Sequence, residues 1–250
     1  MRQARVALVT GAGRRIGAAI ARALFRDGFR LALHYRRSAA EARALARELE
    51  AERPGSAACF AADLVQAGAA EALAEAVLAR FGRLDALVNN ASTYRPTPFG
   101  AVDHATWREL VGANLEGHFF LAQALAPALR AARGAVVNLT DARLAKPQRG
   151  YAAYGAAKAG LAALTRVLAV ELAPEVRVNG VAPGAILWPE GEASLTEAER
   201  AAVLGAIPLG RLGTPEEVAE VVRYLIAEGS YLTGQTLAVD GGLRLLGEPA

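Results

Sequence analysis

Tyr154 and Lys158 stand four residues apart in a stretch patterned as helix, so both side chains project from one face. A free phenol titrates near 10, and a nearby ammonium stabilises its anion. A shift of about three units corresponds to roughly 4 kcal/mol of differential stabilisation. A tyrosine tuned in this way can pass a proton while a hydride moves. Taken alone, the same pair equally suits a solvated helix face.

A second constellation lies near the start of the chain. Thr10-Gly11-Ala12-Gly13-Arg14-Arg15-Ile16-Gly17 sits between a short apolar run and a helical pattern. Glycines there let the backbone turn tightly and approach a pyrophosphate, and the helix start offers free N–H groups and the positive end of its dipole. An ordinary strand-to-helix turn is the alternative, and the strand on either side of the loop and helix argues against it. At the end of the second strand, a site for NAD would place an acid for the ribose hydroxyls. This chain has His34-Tyr35-Arg36-Arg37-Ser38 instead. Arginine forks beside a hydroxyl suit a 2′-phosphate, so the expected cofactor is NADPH rather than NADH, with Arg14 joining from the first loop. Asp63, after the third strand, either accepts from the adenine amino group or caps the next helix.

These residues need elements to hold them. β-rich runs fall at Val6–Thr10, Arg30–Tyr35, Ala57–Ala61, Ala86–Asn89, 135–140, 176–182 and Leu237–Val239. Helical patterns fall between them: from the glycine loop to Asp27, from a capping box at Ser38-Ala39-Ala40-Glu41 to about Glu52, then 67–81, 105–132 and 151–172. A further helix starts at Thr214-Pro215-Glu216-Glu217. Strict alternation predicts a single α/β domain over 1–250, doubly wound, with a mainly parallel seven-stranded sheet and helices on both faces. The strands lack in/out alternation, as expected when both faces are covered. Residues 183–213 read as one long irregular stretch after a strand's C-terminal end, which suggests a lid over the ligand crevice. Trp188, Pro189 and Glu190 lie in it. Trp188 either closes over a substrate or packs the loop.

Composition excludes other classes. The chain has 250 residues, 53% hydrophobic and 21% charged, with a net charge of +3. That is a globular chain whose basic residues do not cluster, so no nucleic-acid partner is expected. It has no apolar run of about 18 residues, hence no expected membrane span. Only a four-residue apolar run follows Met1-Arg2-Gln3-Ala4-Arg5, too short for a signal peptide, and the lone Cys59 permits no internal disulfide. Both point to the cytoplasm. Cys59 itself reads as a small strand residue. His34, His104 and His118 share no metal-ligand spacing, so no metal is expected. Lysine and asparagine are scarce: only Lys146 and Lys158, and Asn89, Asn90, Asn114, Asn138 and Asn179. Either a drift toward arginine or a hot habitat would produce this. Lys146 has no evident role.

Thr10-Gly11 to Gly17, Asn89-Asn90-Ala91, Asn114, Tyr154/Lys158 and Pro183-Gly184, taken together, resemble the short-chain dehydrogenase/reductase family over essentially the whole chain. Most members have serine thirteen residues before the tyrosine and glycine at the position of Arg15. Here the first is Asp141. Both departures resemble the pteridine reductase branch, as do the stretches His34 to Glu41 and Asn90 to Pro98. The chemistry agrees. Serine donates to a carbonyl oxygen, which a carboxylate cannot do unless protonated. An acid suits a substrate with ring N–H groups and an imine nitrogen. Beside Asp141 the phenolate is less favourable, so Tyr154 stays a proton donor, and Asp141, Tyr154 and Lys158 are expected to titrate as one unit.

The resemblance implies a Rossmann-type fold and a catalytic set of Asp141, Tyr154, Lys158 and Asn114. It implies that Gly11, Arg14, Arg15, Ile16, Tyr35, Arg36, Arg37, Ser38, Asp63, Leu64, Asn90, Ala91, Ser92, Tyr154, Lys158, Pro183 and Gly184 hold the nucleotide. Arg15, Ser92, Tyr94, Asp141, Tyr154 and Trp188 would meet a pterin or folate, with Tyr94 stacked on its outer face. Read without the family, Tyr94 is equally an ordinary loop tyrosine. Asn114 would support a backbone kink and a water leading to Lys158. Members usually form homotetramers through their long helices. Two rival readings remain: a carbonyl reductase of the 3-oxoacyl carrier-protein or sugar type, opposed by Asp141 and Arg15, and a non-catalytic NADPH-binding regulator, opposed by Tyr154 and Lys158.

Overall fold

The strands are short and apolar on both sides, which fits them for the middle of a sandwich of helices. In the computed structural model, which describes residues 4–189 and 194–245, they form one all-parallel sheet. It comprises β1 (Val6–Val9), β2 (Arg30–Tyr35), β3 (Ala57–Ala61), β4 (Ala86–Asn89), β5 (Ala135–Leu139), β6 (Arg177–Pro183) and β7 (Thr236–Val239). Their order is β3-β2-β1-β4-β5-β6-β7. Alternation along β1 divides the core. Ala7 and Val9 join a cluster with α1 (Arg15–Arg26), α2 (Ala39–Glu52) and α8 (Pro215–Ala227). Val6 and Leu8 join the opposite cluster, with α3 (Ala69–Phe81), α5 (Gly117–Ala132) and α6 (Ala152–Glu171). Burying a leucine such as Leu8 or Leu87 fully stabilises by roughly 1.5–3 kcal/mol. The fold is therefore the expected doubly wound α/β class. Strand order reverses between β1 and β4, and an open parallel sheet forms its ligand crevice at that switch, beyond the carboxyl ends of the strands.

Four local expectations need correction. The pattern over 105–132 is not one helix. It is α4 (His104–Val111), a π-helical turn at Gly112–Glu116, and α5. Asn114 explains the interruption: its amide donates to the carbonyl of Leu110 at 2.9 Å and to that of Thr93 at 2.9 Å, occupying a carbonyl that the widened turn leaves over. The stretch 183–213 is not wholly irregular. It carries α7 (Glu197–Gly205), started by a capping box between Thr196 and Glu199. The box expected at Ser38 and Glu41 is absent. Ser38 is the N-cap of α2, yet its hydroxyl makes no cap bond, and both side chains border the crevice instead. Finally, Asp63 does not cap α3, which begins after a left-handed Gly68. Its carboxylate accepts from Val65 N at 3.2 Å within a tight turn.

The five asparagines are all held by hydrogen bonds. Asn89 donates to Asn138 at 2.9 Å across β4 and β5, and Asn138 donates to Thr165 of α6 at 2.9 Å. Asn90 donates to the carbonyls of Thr10 and Gly11. Asn179 donates to Leu232 O at 2.8 Å and accepts from Gln235 N at 3.1 Å. Among the described residues no helix is long and apolar enough to cross a membrane. Cys59 is half-buried on β3, and its thiol donates to Ala42 O at 3.3 Å. Met1 to Gln3 and Glu190 lie outside the described residues.

Candidate active site

The loop from β1 into α1 is set by space as much as by sequence. Gly11 has φ +64, and a Cβ there would meet Ala91 Cα at 3.1 Å and the Asn90 amide at 3.2 Å. A Cβ on Gly17 would drive into the Gly11 carbonyl oxygen. The loop is therefore folded back on Asn90-Ala91 at the end of β4. His34 clamps it from the other side. Its Nδ1 accepts from Gly11 N at 3.2 Å while Nε2 faces Ala62 O at 3.1 Å. That pattern requires the neutral ring with its proton on Nε2, and burial pushes the His34 pKa down to about 4. Arg15 holds a left-handed φ of +54, a conformation that ordinarily favours glycine, and its guanidinium donates to Trp188 O at 3.2 Å.

Beside this loop opens a cleft of about 690 Å³, toward the upper end of small-molecule sites at about 300–1,000 Å³. Arg14, Arg36, Arg37 and Ser38 border one end, with Asp63 and Leu64 opposite. Gly11, Arg15 and Ile16 form its floor with Asn90, Ala91 and Ser92. Tyr94, Asp141, Gly184 and Trp188 border the other end. The structure thus gathers most of the expected residues around one space.

Five expected residues do not line that space. Tyr35 is buried at the end of β2, because a strand's period of two sends His34 toward the cleft and Tyr35 away. Pro183 ends β6 one residue short of the lining Gly184. Asn114 is wholly buried in the π turn, where its Oδ1 accepts from Ser92 Oγ at 2.6 Å. Tyr154 and Lys158 sit directly behind Asp141 and Tyr94, at 8% and 2% exposure.

The Tyr154 hydroxyl donates to Asp141 Oδ2 at 2.7 Å, and Asp141 Oδ1 accepts from Arg143 N at 2.7 Å. The second bond caps a 3₁₀ turn (Ala142–Ala145) and fixes the carboxylate. Burial raises the Tyr154 pKa well above its ordinary value, and the charge of Asp141 raises it further. The phenol is held protonated, as the neighbouring Asp141 implied; the downward shift expected from Lys158 does not occur, because burial and the Asp141 charge outweigh an ammonium that does not bond the hydroxyl. Lys158 Nζ lies 6.0 Å from the Tyr154 ring centroid and donates to Leu139 O at 2.7 Å. Burial lowers its pKa to about 8, with Asp141 opposing the shift. His118, one helical turn beyond Asn114, bonds through Nε2 to Ala91 O at 2.9 Å, and its pKa falls to about 3 chiefly by burial. It is neutral beside Lys158.

Several neighbours were invisible to motif reasoning. Tyr94 stacks on Tyr151 with centroids 4.7 Å apart and planes at 15°, and meets Tyr154 edge-on at 5.0 Å. Burial raises the Tyr94 phenol above its ordinary value. Tyr151 is the N-cap residue of α6, three positions before Tyr154, and belongs to no motif. Gln148 accepts from Tyr94 at 3.4 Å and also pairs with Arg143. Trp188 lies under Arg200 of α7, 5.3 Å from ring centroid to guanidinium. Among the described residues there is no group of three or more His, Cys, Asp or Glu able to hold a metal.

Comparison with known proteins adds an independent observation. Residues 11–244 match a family model described as enoyl-(acyl carrier protein) reductase. The chain is 37% identical to pteridine reductase 1 of Leishmania tarentolae, over 96% of both chains. It is 38% identical to a 3-oxoacyl-(acyl-carrier-protein) reductase of Synechocystis sp., over 96% of this chain and 97% of that one. It is 36% identical to 3beta-hydroxysteroid dehydrogenase 1 of Eggerthella lenta, over 95% and 93%.

Proposed function

The chain belongs to the short-chain dehydrogenase/reductase family of oxidoreductases, and we propose that its activity is NADPH-dependent reduction of a pterin, most simply a dihydropterin or dihydrofolate to its tetrahydro form. One observation carries this reading: a carboxylate, Asp141, receives the Tyr154 hydroxyl at 2.7 Å. The similarity to pteridine reductase 1 supports it. The similarity to 3-oxoacyl-(acyl-carrier-protein) reductases favours a ketoacyl substrate as the second reading.

The residues fit the nucleotide. The glycines of the Gly11–Gly17 loop leave no room for a Cβ, α1 starts behind the loop, and Arg14, Arg36, Arg37 and Ser38 supply donors for a 2′-phosphate. When bound, NADPH supplies the hydride. The chain's own residues handle the proton. Tyr154 stays protonated at neutral pH, and the two residues relay one proton to the substrate's imine nitrogen: the Tyr154 hydroxyl gives its proton to Asp141 Oδ2 as the carboxyl group, which borders the cleft, passes one on. Lys158 holds the nicotinamide ribose as an ammonium. Arg15 reaches phosphate and substrate, Ser92 meets either, and Tyr94, backed by Tyr151, offers its remaining face to the flat heterocycle. Trp188 on the 183–213 lid closes the far end. The sheet and both helical layers act as one catalytic domain.

We infer a cytoplasmic homotetramer. Phe119 and Phe120 on α5, and Val167 and Val170 on α6, are exposed apolar side chains on the two long helices. Light scattering at four times the 26.0 kDa chain mass checks this.

NADPH oxidation measured with dihydrobiopterin, dihydrofolate and a β-ketoacyl thioester separates the readings. Turnover of the thioester alone would replace the pterin by the carbonyl reading, and no turnover of any substrate would favour a binding protein. Equal performance of NADH and NADPH at low concentration would sink the cofactor assignment. The pH profile is a further check. With Lys158 at about 8, kcat/KM is expected to fall as pH rises through that value, because the ammonium is lost. A profile flat to pH 10 would remove Lys158 from that role. Stability moves the other way. The unfolded chain binds this proton up to about 10.5 and the folded chain only to about 8, so this lysine's effect makes the fold more stable as pH rises across that window.

A further inference from the structure

Arg36 at the nucleotide end of the cleft and Arg95, next to Tyr94 at its substrate end, are bound to the same carboxylate. Arg95 Nη2 bonds Glu109 Oε2 at 2.8 Å, and Arg36 Nη1 lies 3.7 Å from Glu109 Oε1. Arg36 also pairs with Asp63 through Nε at 3.0 Å. Glu109 projects from α4, behind the cleft rather than in it. All four side chains are about one-third exposed, so solvent attenuates the pairs without erasing them.

We propose that Glu109 is a positioning residue shared by the two halves of the cleft, competing for Arg36 against the cofactor's 2′-phosphate while anchoring the substrate loop at residues 90–98 through Arg95. The inference rests on the NADPH reading above and adds a residue outside every motif of the family resemblance. The geometry makes the contacts unequal. The contact to Arg95 is a close charge-assisted hydrogen bond, whereas that to Arg36 is long and readily exchanged. A guanidinium carries five donors, so Arg36 can keep Asp63 through Nε and turn its remaining N–H groups to a phosphate. Each unit of negative charge near Arg36 weakens the attraction for a dianionic phosphate. It leaves a ribose hydroxyl nearly indifferent.

Two substitutions then act in opposite directions on one affinity. Glu109→Gln removes the competing charge and is expected to tighten NADPH by about three- to tenfold, with NADH unchanged. It also releases Arg95, so the substrate KM rises by a larger factor than kcat falls. Arg95→Gln frees Glu109 to draw on Arg36. It is expected to weaken NADPH severalfold and to raise the substrate KM likewise. The double variant follows Glu109→Gln in its NADPH affinity. Titration calorimetry with NADPH and NADH, steady-state kinetics and thermal melts on the purified full chain read all of this. NADPH affinity unchanged or weakened in Glu109→Gln, or NADH moving in parallel, overturns the proposal, and so does a pair of variants that shift NADPH in the same direction. If the wild-type chain itself binds both nucleotides equally, the cofactor reading fails and this inference fails with it. If the wild type prefers NADPH while Glu109→Gln leaves that preference unchanged, only the role of Glu109 is lost.

Discussion

Tyr154→Phe is expected to lower kcat by about 10²–10⁴-fold, the range of a single positioned proton donor. The ring stays. Phenylalanine keeps the edge-on contact with Tyr94 at 5.0 Å and the packing of α6, so the fold and the nucleotide affinity should hold. What disappears is the one hydroxyl bonded to Asp141 at 2.7 Å. The loss should therefore fall on kcat rather than on the dissociation constant for NADPH. Stopped-flow oxidation of NADPH, with calorimetric binding as a control, measures both. Turnover within tenfold of wild type would mean that another group supplies the proton to Asp141.

Asp141→Ser is expected to exchange one chemistry for another. For a pterin, the loss of the acceptor should lower kcat/KM by about 10²-fold or more, on the same scale of acid–base catalysis. For a ketone the serine hydroxyl can donate to the carbonyl oxygen, so activity on a β-ketoacyl thioester should rise. The same substitution removes the negative charge that helps hold the Tyr154 phenol above its ordinary value of about 10. Its titration should move down, seen as phenolate absorbance at lower pH in the variant. Asp141→Asn separates the effects, since it keeps the side-chain size and removes only the charge. Unchanged pterin turnover in both variants would remove Asp141 from the reaction.

The strands, α1 and α6 were legible because each carries its own signal: a β-rich run, a glycine turn, or a sustained helical period. Tyr154 and Lys158 were legible as a pair because they share a helix face; Asp141 came from the family resemblance alone, since it stands two residues past the end of β5 with no local signal of its own. Other features had signals that pointed elsewhere. The pattern over 105–132 runs on across Asn114; the family resemblance implied a kink there, and the amide's bonds to Leu110 and Thr93 give it its form, a π turn. Helix α7 buries no side chain, so periodicity was silent there, although Thr196 and Glu199 spelled its start. Ser38 and Glu41 spelled a capping box, and α2 starts there without it, because both side chains border the cleft. Glu109 carried no signal, and Arg95 was marked only as part of the Asn90–Pro98 stretch; the fold brings the two together from a loop and a helix.

Asn179 precedes Gly180, the chain's one Asn-Gly pair. That dipeptide is the most prone to spontaneous deamidation, since glycine leaves its own amide nitrogen free to attack the side-chain carbonyl. In the fold both ends of the Asn179 amide are engaged, by Leu232 O and Gln235 N, and Gly180 N is bonded to Gln235 O at 2.7 Å. The attack geometry is closed while β6 stays in the sheet and opens when the sheet melts. Heat damage in this protein should thus carry a chemical record, with each excursion into the unfolded state making some chains unable to return. Mass spectrometry of the peptide bearing Asn179, before and after repeated melting, would detect that record, and equal deamidation in the unheated fold would refute it.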